Sequence, residues 1–208
     1  MACGTFQISD IPSEQAYLFA EPEKVAYWRK RLGPRRRPRV GLVWSGGIRS
    51  AWVQQLVNQH RNMAIEQIAK INVPGVDFYS LQVGEEAQQE LTARQRALWP
   101  KGNMHDFSDA LQDFTDTAAL IENLDLVISV DTSVVHLAGA LGKPVWLLNR
   151  FDTCWRWMLE REDSPWYPSM RLYRQGADRQ WTPVLQRLAH DLGQVAQQAN
   201  SARPSPAL

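Results

Sequence analysis

The sequence predicts an α/β protein, a parallel β-sheet covered by helices on both faces to give three α/β/α layers. Short apolar runs with the character of buried strands occur at 39–44 (RVGLVW), 76–82 (VDFYSLQ), 126–130 (LVISV) and 144–148 (PVWLL), and stretches of helical periodicity lie between them. The connecting loops are short. Strands that read as nearly continuous apolar runs are buried on both faces, which is the signature of a parallel sheet.

In chain order, residues 22–32 (PEKVAYWRKRL) predict a helix with Val25, Trp28 and Leu32 on one face. It opens on a proline suited to a first turn and is stopped by Gly33. Strand 39–44 follows and runs into the turn Ser45-Gly46-Gly47. Residues 62–71 predict a helix with Met63, Ile65, Ile68 and Ile71 inward, 76–82 a strand, and Glu85 to Leu98 a polar helix. A loop is expected around Asp106 and Phe107, then a helix from Thr115 to Asn123 with Ala118, Leu120 and Ile121 apolar. Strand 126–130 leads to helix 133–141, which Gly142 and Pro144 terminate before strand 144–148. An aromatic-rich loop covers 151–168, an amphipathic helix 182–198, and SARPSPAL reads as a frayed tail. The expected organisation is an N-terminal segment with a helix and a basic linker (1–38), one domain (39–199) and a disordered tail (200–208). No period of 20–50 residues recurs, so repeat arrays are excluded.

Composition narrows the class. The 208 residues are 44% hydrophobic, enough for a sizeable core. No window approaches ~18 uninterrupted apolar residues, so no membrane span is expected. The start MACGTFQISD has neither a charged n-region nor an apolar h-region, which argues against secretion. Cys3 and Cys154 lie far apart without metal-ligand spacing, so a reduced, cytoplasmic protein is expected. The net charge of +1 conceals the run RKRLGPRRRPR at 29–39, which holds seven of the 23 basic residues. Nucleic-acid binding is one reading of that run. It is short, broken by Gly33, Pro34 and Pro38, and lacks interleaved aromatics, so it reads better as a solvated linker.

In parallel sheets ligands bind where strands end and loops enter helices. Asp131, Thr132 and Ser133 stand at such a point, between strand 126–130 and the helix after it. Thr132 or Ser133 can cap that helix and leave first-turn N–H groups facing an anion, with His136 about one turn in as a donor. An ordinary cap with a histidine satisfied in the core is an equally open reading. The turn WSGG (44–47) is a second candidate, since its glycines allow a ligand to approach the backbone closely. It is neither a G-x-G-x-x-G fingerprint nor a P-loop and reads equally as a tight turn. A third is Arg156 between Trp155 and Trp157, which suits a lid over a phosphate or sugar, or a structural plug.

DFTDTAALIENLDLVISVDTSVVHLAGALGKPVWLL, followed by WRW and REDSPWYP, resembles the C-terminal half of bacterial glycosyltransferases. Those enzymes often follow tetratricopeptide (TPR) repeats. They are related to heptosyltransferases and, more distantly, to O-GlcNAc transferase. VGLVWSG, NQHRNMAIEQI and VDFYSLQVGEE extend the likeness over roughly residues 17–190. The resemblance implies the Rossmann-like C-terminal domain of a GT-B fold, which binds a nucleoside-diphosphate sugar for transfer to an acceptor. By the same resemblance, Ser45, Gly46, Asp131, Thr132, Ser133 and His136 would hold the donor diphosphate. Gln82, Val83, Asp106 and Phe107 would hold base and ribose. Arg61 would neutralise the leaving group, so no metal or other cofactor is expected. Family members continue WSG with Asn-Pro, whereas this chain has Gly47, Ile48 and Arg49. The resemblance also implies an N-terminal acceptor domain, absent here or supplied by another chain, without which this chain would be inactive. The alternatives are a non-catalytic nucleotide-binding or interaction module, and a GT-B sugar epimerase, for which no convincing acid–base pair stands in the motif.

Overall fold

The structure is a computed structural model that describes residues 4–47 and 60–202. Cys3, the Ile48-Arg49 departure and the last six residues of the expected tail lie outside the described residues. Six strands form one sheet: β1 Arg39–Val43, β2 Asp77–Ser80, β3 Met104–Asp106, β4 Leu126–Val130, β5 Val145–Asn149 and β6 Met170–Arg174. All pair in parallel, in the order β3-β2-β1-β4-β5-β6. The chain builds outward from β1 to β3, returns to β4 beside β1, and builds outward the other way. The crevice above β1 and β4 is therefore the topological switch point, where sheets of this kind take their ligands.

The helices that lie wholly among the described residues are α1 Pro22–Leu32, α2 Ile65–Ile68, α3 Glu85–Leu98, α4 Phe114–Glu122, α5 Ser133–Ala140 and α6 Thr182–Ser201. Alternate side chains of each strand enter opposite cores, as the two-residue period of a strand requires. Val40, Leu42, Phe78 and Ile128 pack against Ile65 and Ile68 of α2, Leu91 of α3 and Leu185, Leu188 and Leu192 of α6. Val43, Val127, Leu147 and Leu172 pack against Trp28 of α1, residues 118–121 of α4 and Val134, Val135 and Ala138 of α5. Each fully buried Leu or Ile contributes about 1.5–3 kcal/mol relative to exposure. The three layers thus match the fold class that the sequence predicts.

Several local expectations are corrected. The helix expected over 62–71 is one α-turn, Ile65–Ile68, continued as a 3-10 turn over Ala69–Ile71. Helix α4 starts at Phe114, because the Asp113 carboxylate caps it by accepting from the N–H groups of Thr115 and Asp116. Asp106, expected in a loop, ends the short edge strand β3, and β6 was not foreseen. Helix α6 continues to Ser201, so the first residues of the expected tail are helical.

The basic segment runs from the end of α1 through an exposed connection at 34–37 to the first residue of β1. Its first three cations lie on α1, Arg35 and Arg37 pair with Asp125 (3.0 Å) and Asp77 (3.3 Å), and Arg39 opens β1 with only 5% exposure. The Arg39 guanidinium donates to the carbonyls of Leu32 and Gly33 (3.2 and 2.6 Å), fastening the end of α1 to the start of the sheet. A buried charge is tolerated where its donors are taken up in this way.

Candidate functional site

The loop after β1 is held from two sides. Trp44 is fully buried, and its indole N–H donates to Glu90 of α3 at 3.3 Å. Gln82, at the carboxyl end of β2, is buried as well. Its Oε1 accepts from the backbone N–H of Trp44 (3.2 Å) and of Ser45 (3.1 Å), and its amide donates to the carbonyls of Ser45 and Val83. The Gln82 side chain therefore serves as a backbone clamp.

From the other side come Arg61 and Asn62. Asn62 Oδ1 accepts from Gly46 N (2.9 Å) and from Arg61 Nε (3.2 Å). Arg61 Nη1 donates to the Asp131 carbonyl at 3.0 Å, crossing from the β1 loop to the β4 loop. The guanidinium rests on Gly46, where any Cβ would collide with it, so glycine is required there for close approach rather than for a turn.

Across the switch point, Asp131 and Thr132 are half-buried and Ser133 is exposed. Thr132 occupies the N-cap of α5 in extended conformation, but its hydroxyl lies 3.2 Å from Ser129 Oγ and does not cap the helix. The first turn of α5 thus receives no side-chain cap, and an uncapped helix start favours anions. His136 ends that first turn. Its ring stacks on the fully buried Trp157 (centroids 5.1 Å, 19°), and Nδ1 lies 3.1 Å from the Tyr167 hydroxyl. Burial holds the imidazole pKa below its ordinary value, opposed by the nearby Asp131 charge and assisted by Arg156.

A cleft of about 320 Å³ opens beside this point, lined by Ser45, Gly46, Gly47, Gln82, Val83 and residues 84–87. Val83 is exposed on its wall, and Glu85 and Glu86 stand at its rim on the first turn of α3. The structure thus brings Ser45, Gly46, Gln82 and Val83 together around one cleft, and Arg61, packed on Gly46, links it to the Asp131 carbonyl; Thr132, Ser133 and His136 follow at the start of α5 and do not line the cleft. Asp106 and Phe107 do not line it. Asp106 Oδ1 accepts from Ser108 N at 3.0 Å, and Phe107 packs among Trp28 (5.7 Å), Tyr79 (6.4 Å) and the Arg31 guanidinium (5.1 Å). In the aromatic loop, Trp157 is a core residue, while Trp155 is 69% exposed with the Arg156 guanidinium 4.9 Å over its ring.

Sequence reasoning missed Asn62, Tyr167 and Asp152. Asp152, in the loop after β5, lies 3.3 Å from His60 Nδ1 and 3.0 Å from Arg179, joining the loops that follow β1, β5 and β6. No group of His, Cys, Asp and Glu among the described residues has the geometry of a metal site, and no described helix is long and apolar enough to cross a membrane.

The β4 side of the switch point falls within a recognisable segment. Residues 110–148 match the model of glycosyltransferase family 9 (heptosyltransferase). That span holds α4, β4, α5 and β5, and with them Asp131, Thr132, Ser133 and His136. Over 189 residues the chain is 31% identical to Protein FlbA of Caulobacter vibrioides, covering 89% of this chain and 30% of FlbA. The fold is similar to that of E. coli ADP-heptose lps heptosyltransferase II, with a TM-score of 0.57 and 16% identity over 92% of this chain and 57% of that one. At that identity the likeness carries the fold, a Rossmann-like α/β domain similar to one in a GT-B enzyme. The chain thus spans under a third of FlbA and somewhat over half of the heptosyltransferase.

Proposed function

We propose that the chain is the donor-binding domain of a glycosyltransferase and takes a nucleoside-diphosphate sugar at the β1/β4 switch point. The observation that carries this reading is Arg61, a cation lying between the glycine turn after β1 and the uncapped start of α5. In this reading the diphosphate lies against the N–H groups of Ser133 and its neighbours, with Arg61 and His136 donating to its oxygens. The ribose and base occupy the cleft toward Val83, where the Glu85 and Glu86 carboxylates suit sugar hydroxyls and repel phosphate. The β1 loop contributes Ser45 and Gly46, held in place by Gln82.

Transfer breaks the bond between the sugar's anomeric carbon and the diphosphate oxygen while an acceptor hydroxyl bonds to that carbon and gives up its proton. The electron pair leaves on the diphosphate. Fixed positive charge at Arg61 and the α5 dipole stabilises that leaving group, and such preorganised charge can act in place of a metal. The acceptor and the base that deprotonates it belong to the opposite wall of the cleft, in this reading a second Rossmann-like domain. Both relatives extend well beyond the matched region, in keeping with that division. This chain alone is then expected to bind donor with micromolar to millimolar affinity and to transfer nothing. The reading also puts the protein in the cytoplasm, together with its donor.

Thermal-shift screening against ADP, GDP, UDP and their sugar conjugates tests it. A ligand at a hundredfold excess over its Kd adds about 2.7 kcal/mol, a shift of about 5–10 °C for a domain of this size. A shift with one base identifies the donor class, and no shift with any nucleotide contradicts the reading.

A further inference from the structure

We propose that Tyr167 is a positioning residue that holds His136 in the tautomer with its proton on Nε2, leaving that N–H to donate to a diphosphate oxygen. The proposal rests on the donor-binding reading above and gives a role to a residue outside the family match, since Tyr167 lies beyond residue 148.

Three contacts fix the ring. Trp157 stacks on its face, Tyr167 meets it edge-on at 5.8 Å and 62°, and the Tyr167 hydroxyl lies 3.1 Å from Nδ1. Tyr167 is itself held, because its ring lies on Gly139, one turn further along α5, where a Cβ would come within 2.5 Å of Tyr167 Cγ. The phenol has one proton and two neighbouring acceptors. One is His136 Nδ1, and the other is the Tyr17 hydroxyl at 3.4 Å, which is long for an O–H···O bond. A neutral imidazole nitrogen is both the nearer and the better acceptor, so the Tyr167 proton goes to Nδ1. An imidazole that accepts at Nδ1 carries its own proton at Nε2. Among the described residues Nε2 has no partner, so its N–H is left for a ligand. The Tyr17 hydroxyl can donate in turn to Tyr167, and Tyr17 N donates to the Ala140 carbonyl at 3.0 Å. The N-terminal segment thus leans on the same arrangement.

Two-bond proton–nitrogen correlation spectra of the full 208-residue chain, recorded where His136 is neutral, read the tautomer directly. The wild type is expected to show Nε2 protonated and Nδ1 bare. In Tyr167→Phe the Nδ1–H form is expected to become populated, and affinity for whichever of ADP, GDP and UDP binds the wild type is expected to fall about fivefold, the worth of one net hydrogen bond. A merely structural Tyr167 would lower the melting temperature and leave the tautomer unchanged, and that result overturns the proposal. A wild-type spectrum with Nδ1 protonated overturns it too and needs no variant, so a Tyr167→Phe chain that fails to fold does not remove the test. The expected tautomer shift without binding of any of the three nucleotides would instead overturn the donor-binding reading.

Discussion

Arg61 donates from Nη1 to the backbone carbonyl of Asp131 at 3.0 Å, joining loops 70 residues apart in the chain across the switch point of the sheet. The bond fixes a guanidinium between the glycine turn after β1 and the start of α5, and the donor-binding reading depends on it. Hydrogen bonds from a charged group contribute about 1.5–3 kcal/mol. Arg61→Ala is therefore expected to weaken nucleoside-diphosphate binding by about tenfold to a hundredfold, measured by calorimetry. Arg61→Lys is expected to recover only part of that loss, because a point charge cannot hold the Asn62 and Asp131 contacts together.

The Gly46→Ala variant probes the same arrangement without removing a charge. The added methyl group meets the far end of the Arg61 side chain, which can swing aside. The expected result is a fold that melts near the wild-type temperature and a diphosphate affinity lowered toward that of Arg61→Ala. A variant that binds normally would show that the contact between Arg61 and Gly46 does not matter for binding.

Gln82→Leu is expected to act on stability first. It leaves the N–H groups of Trp44 and Ser45 without their acceptor in a buried place. Each such loss costs about 1–3 kcal/mol, so chemical denaturation should show a clear drop. Gln82→Glu keeps that acceptor but sets a second oxygen against the Ser45 and Val83 carbonyls in a buried place, so it is expected to be destabilised as well.

How much of this was legible in the sequence divides along physical lines. The strands β1, β4 and β5 and the helices α1, α4, α5 and α6 follow from runs and periods that burial on one or two faces imposes. The parallel-sheet rule then located the loops at the strand ends, so Ser45, Gly46, Asp131, Thr132, Ser133 and His136 could be singled out. The edge strands could not be read in this way. β6 (MRLYR) carries two arginines, with Arg171 bonded to Asp191 and Arg174 to the carbonyls of Arg161 and Trp157, and β3 is three residues long. Side-chain targets were also beyond reach. That Gln82 clamps a neighbouring loop, that Phe107 turns toward α1, and that Tyr167 returns to His136 all depend on packing between distant segments.

Protonation gives a further prediction. Burial depresses the pKa of His136, and also that of His105, whose ring stacks on Tyr79 at 4.8 Å. The unfolded chain takes up these protons near pH 6.5, while the folded chain resists until lower pH. The stabilisation is therefore fully present above about pH 6.5 and is lost as pH falls through the window down to the folded values. Denaturation between about pH 7.5 and about pH 5 should show this decline, and replacing both histidines with glutamine should flatten it. A decline of unchanged slope in the double variant would assign the acid sensitivity to carboxylates.

The central claim, a diphosphate held at the β1/β4 switch point, is tested most directly by backbone amide NMR of the chain titrated with ADP, GDP and UDP. The account predicts shifts concentrated at Ser45 to Gly47, at Ser133 to Val135 and at Arg61, with smaller ones at Val83 to Ala87. Shifts confined to the basic segment 29–39, or to the cavity of about 330 Å³ between Ser13–Tyr17 and Gly139, would contradict it.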